Sequence, residues 1–230
     1  MRSSERAPSG PGSPSARPIV FIVDDDASMR ESLGSLIRST GCEAETFGSA
    51  SAFLSYRRAE RPSCLVLDIE LPDLDGLDLQ ERIAAEHSEM PVIVVTGHAD
   101  VPRAVRAMKG GAVDFLTKPV SAKDLLQAIE RAVERSRTTF RQTAELKALR
   151  ERYALLTRRE REVLNWVVAG LPNKVVGAEL GTSEITIKAH RGKVMQKMQA
   201  DSLAELVRMA ATLSLPLPPK QQRTRLASAP

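Results

Sequence analysis

From Pro18 to about Arg135, short strand-like runs alternate with segments of helical period. The strand candidates are 19–23 "IVFIV", 43–47 "EAETF", 64–68 "CLVLD", 91–95 "PVIVV" and 112–116 "AVDFL". Amphipathic segments lie between and after them, near 28–39, 50–58, 76–87, 101–109 and 121–135. This alternation constrains the chain more than any other feature. Parallel neighbours need right-handed crossovers, so the helices fall on both faces of one parallel sheet. The fold class expected is therefore α/β, a five-stranded doubly wound parallel sheet. Ser28-x-x-Glu31 and Ser121-x-x-Asp124 read as reciprocal caps at two helix starts.

In such a sheet, sites form at the carboxyl ends of the strands, where the winding reverses. The first strand runs into Asp24-Asp25-Asp26 and the third ends on Asp68. The fourth is followed by Thr96, and the fifth by Thr117-Lys118-Pro119. Carboxylates, a hydroxyl and an ammonium thus converge on one cleft. Clustered carboxylates repel and call for a cation. Oxygen ligands suit a hard divalent ion such as Mg²⁺. An Asp beside that ion can attack phosphorus, while a Lys and a hydroxyl neutralise and hold the transferred group. Asp26 and Asp73 read instead as solvated or capping carboxylates.

A second texture begins beyond the sheet. No Gly or Pro occurs from Ser121 through Ala169, so a helix entered near Ser121 can continue to about Arg152. Leu146, Leu149, Tyr153 and Leu156 on it have coiled-coil spacing for about two turns, which equally suits packing on its own domain. From Leu156 the pattern is all-helical. A Thr157-x-x-Glu160 capping box opens a helix that stops at Gly170-Leu171-Pro172. Helices at Asn173–Leu180 and Glu184–Met198 flank a turn at Gly181-Thr182-Ser183, and Ser202-x-x-Glu205 caps a last helix ending near Leu213. Two helices joined by a short glycine turn fit a small all-α helix-turn-helix domain, whose second helix enters the major groove of DNA. On that helix Ile187, Val194 and Met198 share a core stripe, with Lys188, Ala189, Gly192, Lys193 and Gln196 opposite. Leu164 and Trp166 read as core, and His190 as a satisfied, half-buried histidine.

Charge follows the same division. Residues 18–135 carry 13 Lys+Arg and 20 Asp+Glu, while residues 136–230 carry 17 and 8. A basic half gains from binding a polyanion by releasing condensed counterions. No apolar run is long enough to span a membrane. Two isolated thiols, Cys42 and Cys64, suit a reducing compartment with no structural bridge. The organisation expected is a disordered tail (1–17), a sheet domain (18–135), a helical linker (136–155), a helical domain (156–214) and a flexible tail (215–230).

The sheet domain resembles the receiver domain of two-component response regulators, in a flavodoxin/CheY-like fold. The likeness rests on the acidic pair after the first strand, "LDIELPDLDG", "VVTGH" and "FLTKP", in order and at matching spacing. It implies that Asp68 is the phosphoacceptor. Mg²⁺ would be held by Asp24, Asp25, Asp68 and the Glu70 backbone carbonyl. Thr96 and Lys118 would contact the phosphoryl group, with Thr96 and Phe115 as switch residues. Glu70 and His98 would tune how fast water removes that group. The family often has a cis Lys118-Pro119 peptide. Residues 156–213 resemble the LuxR-type helix-turn-helix, and the combination is closest to the FixJ-like regulators. That likeness implies base reading by Lys188, Ala189 and Gly192. Phosphate contacts would come from Thr186, Arg191, Lys193, Asn173 and Lys174.

Together the resemblances imply a cytoplasmic transcription factor. A sensor histidine kinase would phosphorylate it, and it would homodimerise through Val101, Val105, Met108 and Phe115. It would bind double-stranded promoter DNA and engage RNA polymerase, with no membrane partner and no enzymatic turnover beyond its own phosphorylation and dephosphorylation. Two other readings stay open. A haloacid-dehalogenase-type phosphatase also uses an Asp nucleophile with Mg²⁺, although it usually has Asp where Glu70 stands. A regulator that binds DNA without phosphorylation is the other.

Overall fold

The computed structural model describes residues 17–57, 61–86, 90–98 and 100–216. The tails expected at 1–17 and 215–230 lie outside the described residues, apart from Arg17, Leu215 and Pro216. The chain divides into two compact units between Gln142 and Thr143.

The first unit holds β1 (Ile19–Val23), α1 (Ala27–Ser39), β2 (Glu43–Phe47), α2 (Ala50–Ser55), β3 (Ser63–Asp68), α3 (Gly76–Glu86), β4 (Val92–Thr96), α4 (Val101–Lys109) and β5 (Asp114–Thr117). Its strands pair in parallel in the order β2-β1-β3-β4-β5. Every residue of β1, β3 and β4 is buried, as strands covered on both faces must be. Side chains alternate between the faces. Phe21, Leu65, Leu67, Val92 and Val94 pack with Phe53 of α2, Leu79 and Ile83 of α3 and Ala107 of α4. Val20, Ile22, Cys64, Val66, Ile93 and Val95 pack with Leu33 and Ile37 of α1 and with Leu125, Ala128 and Ile129 of α5 (Ala122–Ala154). The winding reverses between β1 and β3, and their register, Val23 opposite Leu67, sets Asp24 beside Asp68 at the carboxyl edge.

Helix α1 is capped differently from the sequence expectation. It begins at Ala27, and the Asp26 carboxylate accepts the backbone N–H groups of Ser28 (2.8 Å) and Met29 (3.3 Å). An ionised carboxylate at the N-cap satisfies two orphan donors that a neutral Ser28 hydroxyl would have to share. Asp73 also caps, but at long range: it accepts from the N–H groups of Ala50 and Ser51 at the start of α2.

The second unit contains the end of α5, then α6 (Arg158–Val168), α7 (Asn173–Glu179), α8 (Glu184–Met198) and α9 (Leu203–Thr212). Leu149 and Leu156 are buried in its core with Val163, Leu164, Val176, Ile187, Val194, Met198 and Leu206, and Trp166 and Tyr153 pack at the edge. Of the residues with coiled-coil spacing, Leu149, Tyr153 and Leu156 are therefore packed within this unit. The Thr157 capping box forms in both directions, 3.3 Å from Glu160 N–H to the hydroxyl and 2.8 Å from Thr157 N–H to the carboxylate. Between α7 and α8 the chain turns at Gly181, whose φ of 63° is left-handed. Gly177 lets the turn close on α7, since a Cβ there would sit 2.8 Å from the Thr182 carbonyl oxygen. No described helix is long and apolar enough to cross a membrane.

Candidate functional site

The acidic edge of the sheet is built from strand ends. Asp24 and Asp68 are 2% and 4% exposed, and Thr96 at the end of β4 is fully buried. The carboxylate oxygens of Asp24, Asp25 and Asp68 lie within 4.8 Å of one another, with Asp25 facing solvent. Lys118 reaches in from the end of β5 and donates to Asp24 Oδ2 at 2.8 Å and to Asp68 Oδ2 at 2.6 Å. Its own backbone N–H donates to the Thr96 carbonyl, which pins the lysine to β4, and Lys118-Pro119 is cis. The other carboxylate oxygens accept backbone donors: Asp26 N–H to Asp24 Oδ1 and Glu70 N–H to Asp68 Oδ1. Arg30 donates to the Asp24 and Asp25 carbonyls and holds the loop after β1.

The electrostatics show an excess of negative charge. Burial pushes the Asp68 carboxyl above its ordinary range, and Lys118 and the Glu70 N–H only partly offset this. Burial also opposes the charged form of Lys118, but the hydrogen bonds to Asp24 and Asp68 outweigh it and hold the ammonium above its ordinary range. One ammonium is shared by two buried carboxylates, with a third carboxylate adjacent. The donor set is all oxygen and under-neutralised, which fits a hard divalent cation.

Thr96 Oγ1 accepts the His98 backbone N–H at 3.2 Å. Phe115 is half-buried against the core face that contains Leu67 and Val94. Glu70 turns its carboxylate out of the acidic cluster, 2.8 Å from His98 Nδ1 and 3.5 Å from the Arg103 guanidinium. On α4, Val101, Val105 and Met108 are exposed.

One residue of this site was not singled out in the sequence. A Cβ on Gly76 would lie 2.2 Å from the Asp68 carbonyl oxygen and 2.7 Å from Ile69 Cα. The start of α3 therefore rests directly on the backbone of the acidic strand end. The glycine closing "LPDLDG" was the available signal.

In the second unit, Lys188, Ala189, Gly192, Lys193 and Gln196 are exposed on α8, opposite the buried Ile187, Val194 and Met198. A Cβ on Gly192 would meet nothing within 4 Å, so the protein's own packing does not require that glycine. Thr186 is half-buried, with its hydroxyl 2.8 Å from that of the N-cap Ser183. Arg191 is half-buried and directed at Asn173 Oδ1, 3.4 Å away, while Lys174 is exposed. His190 corrects the sequence expectation in part. It is half-buried, but its buried Nδ1 has no hydrogen-bond partner among the described residues.

The comparisons with known proteins agree with this division. Residues 20–130 match the model of the response regulator receiver domain, and residues 154–210 that of the bacterial regulatory proteins of the luxR family. Nodulation protein W of Bradyrhizobium diazoefficiens is 49% identical over 201 residues, covering 87% of this chain and 88% of that protein. The transcriptional regulatory protein FixJ of Rhizobium meliloti is 43% identical over 191 residues, covering 83% and 94%. The solved structure of the response regulator StyR is 44% identical with a TM-score of 0.79, covering 85% of this chain and 99% of that one. A receiver fold and a LuxR-type helical unit, each with its own family match and found together in full-length relatives, place the chain among the response regulators that act as transcription regulators.

Proposed function

We propose that Asp68 accepts a phosphoryl group from a sensor histidine kinase and that this modification controls DNA binding by α8. The observation that carries the reading is the Lys118 ammonium held between Asp24 and Asp68. In the transfer, a phosphohistidine's phosphorus–nitrogen bond breaks as a phosphorus–oxygen bond forms to the Asp68 carboxylate, and the departing imidazole keeps the electron pair. Lys118 stands where it can follow the charge from the carboxylate onto the phosphoryl oxygens. Asp24, Asp25, Asp68 and the Glu70 carbonyl would hold Mg²⁺, which supplies further neutralisation of those oxygens. Thr96, at the end of the strand next to the one that ends on Asp68, would offer its hydroxyl to a phosphoryl oxygen, and on this reading it leaves the His98 N–H to reach it, with Phe115 turning behind it. The product's charge of roughly −2 shifts the receiver between two preexisting states.

The active form pairs through the α4–β5 face, with Val101, Val105, Met108 and Phe115 in contact. Pairing sets two copies of α8 on adjacent half-sites of promoter DNA. Lys188, Ala189 and Gly192 read bases, and Thr186, Arg191, Lys193, Asn173 and Lys174 contact phosphates. RNA polymerase is the further partner of such a regulator, and the cytoplasm its site of action. The receiver spans 18–135, the linker 136–155 and the DNA-binding domain 156–214.

Incubation with labelled acetyl phosphate and Mg²⁺ tests this reading. Stable label on the wild-type chain, lost in Asp68→Asn and in chelator, is the expected result. Release of phosphate from a phosphate ester with turnover would replace it with the phosphatase reading. Absence of label on folded protein would leave a regulator that binds DNA without phosphorylation.

A further inference from the structure

Ile185 is 81% exposed, more than any other large apolar side chain among the described residues. It lies in the first turn of α8, two residues after the Ser183 cap. At about 100° per residue, Lys188, Ala189, Gly192 and Gln196 all fall within about 60° of it on the helix. The buried Ile187, Val194 and Met198 lie on the opposite side. Ile185 is thus at the centre of the exposed stripe, and it contributes nothing to the core. A β-branched residue there also costs the helix a few tenths of a kcal/mol relative to Ala. Folding therefore gives no reason for it.

Its surroundings indicate what covers it. The stripe pairs an apolar patch, Ile185, Ala189 and Gly192, with exposed ammonium groups at Lys188 and Lys193. Cations around small apolar residues suit a polyanion approached closely. The N-terminal residues of a recognition helix are those that meet base edges. In the major groove the apolar feature on offer is the thymine 5-methyl group.

We propose that Ile185 is a specificity-determining residue that packs against a thymine methyl group in each half-site. This rests on the reading of α8 as the helix that enters the major groove. It adds a hydrophobic contact to a set otherwise made of lysines and small residues. Through it the protein distinguishes thymine from cytosine and from uracil at one position.

Methyl-deletion scanning tests the contact. Full-length protein with acetyl phosphate and Mg²⁺ is used to select a double-stranded DNA site. Each thymine in the site is then replaced singly by uracil, and affinities are measured at one fixed salt concentration for wild type and Ile185→Ala. The expected result is one position per half-site where loss of the methyl weakens wild-type binding about three- to fivefold. At that position Ile185→Ala binds thymine and uracil equally. Wild type indifferent to every replacement, or equal sensitivity retained in Ile185→Ala, overturns the proposal while leaving α8 as the DNA-reading helix. Selection that enriches no sequence, with Lys188→Ala binding random DNA as wild type does, overturns the groove reading itself and this contact with it.

Discussion

Lys118 Nζ lies 2.6 Å from Asp68 Oδ2, so the end of β5 is held against the end of β3 across the intervening β4. The same nitrogen is 2.8 Å from Asp24, and one positive charge thereby serves two buried negative ones. The deficit of positive charge in the site is what the proposed Mg²⁺ would offset before a phosphoryl group arrives.

Magnesium should stabilise the receiver through that deficit. A ligand that binds only the folded state adds about 2.7 kcal/mol at a hundredfold excess over its Kd. Thermal melts in chelator and in saturating Mg²⁺ should show a clear gain for wild type and most of it lost in Asp24→Asn. A gain of equal size in that variant would move the ion elsewhere.

Gly76→Ala should damage the site from below. The added methyl meets the Asp68 carbonyl oxygen at 2.2 Å, and backbone on both sides has to move. Overpacking of this kind costs about 1–3 kcal/mol. Urea denaturation followed by circular dichroism should register that loss, and labelling of Asp68 by acetyl phosphate should slow in protein that is still folded.

Glu160 should make the second unit acid-sensitive. It is almost fully buried, and burial alone would raise its pKa, but Lys197 at 2.7 Å and the Thr157 backbone and hydroxyl outweigh this and lower it below 4.5. The unfolded chain then takes up its proton at higher pH than the folded one. The stabilisation is present in full above about pH 4.5 and is lost as pH falls through the depressed folded value. Glu160→Gln should cost about 1 kcal/mol at neutral pH, and its difference from wild type should shrink below that range. Trp166, the single tryptophan, sits at the edge of this core and reports the transition by fluorescence.

Gly192→Ala should separate folding from recognition. Apart from the helix's own nearby backbone, nothing among the described residues lies within 4 Å of the new methyl, so the helix gains about 1 kcal/mol in stability. If the face of α8 lies against base edges, affinity for the selected site falls while binding to random DNA does not. Unchanged specific affinity would mean that the glycine is only a tolerated defect.

The parts of this architecture legible in the sequence are those set by local periodicity. The bounds of β1, β2 and α8 agree with the pattern of apolar residues alone, and the convergence of Asp24, Asp68, Thr96 and Lys118 follows from the rule for strand ends. Of the three consecutive Asp after β1, Asp26 reads as a solvated or capping carboxylate and does cap α1, while Asp24 and Asp25 join the cluster. What the sequence did not show is that Asp26 takes the cap expected of Ser28, which depends on how the loop turns under Arg30. Contacts between distant loops were also hidden. Asp73 caps a helix 23 residues earlier, Glu70 meets His98 across two loops, and Gly76 is required by a backbone approach that no spacing rule reports. Ile185 was not among the residues read on the exposed side of α8, and its exposure is a tertiary fact.

The most direct test of the account is the affinity of full-length protein for its selected DNA site, measured at one stated salt concentration with and without acetyl phosphate and Mg²⁺, for wild type and Asp68→Asn. Pairing of two sites raises apparent affinity by about 10²-fold or more, and the account predicts a gain of that order for wild type and none for Asp68→Asn. An equal gain in both proteins, or no gain in wild type that carries the label, would contradict it.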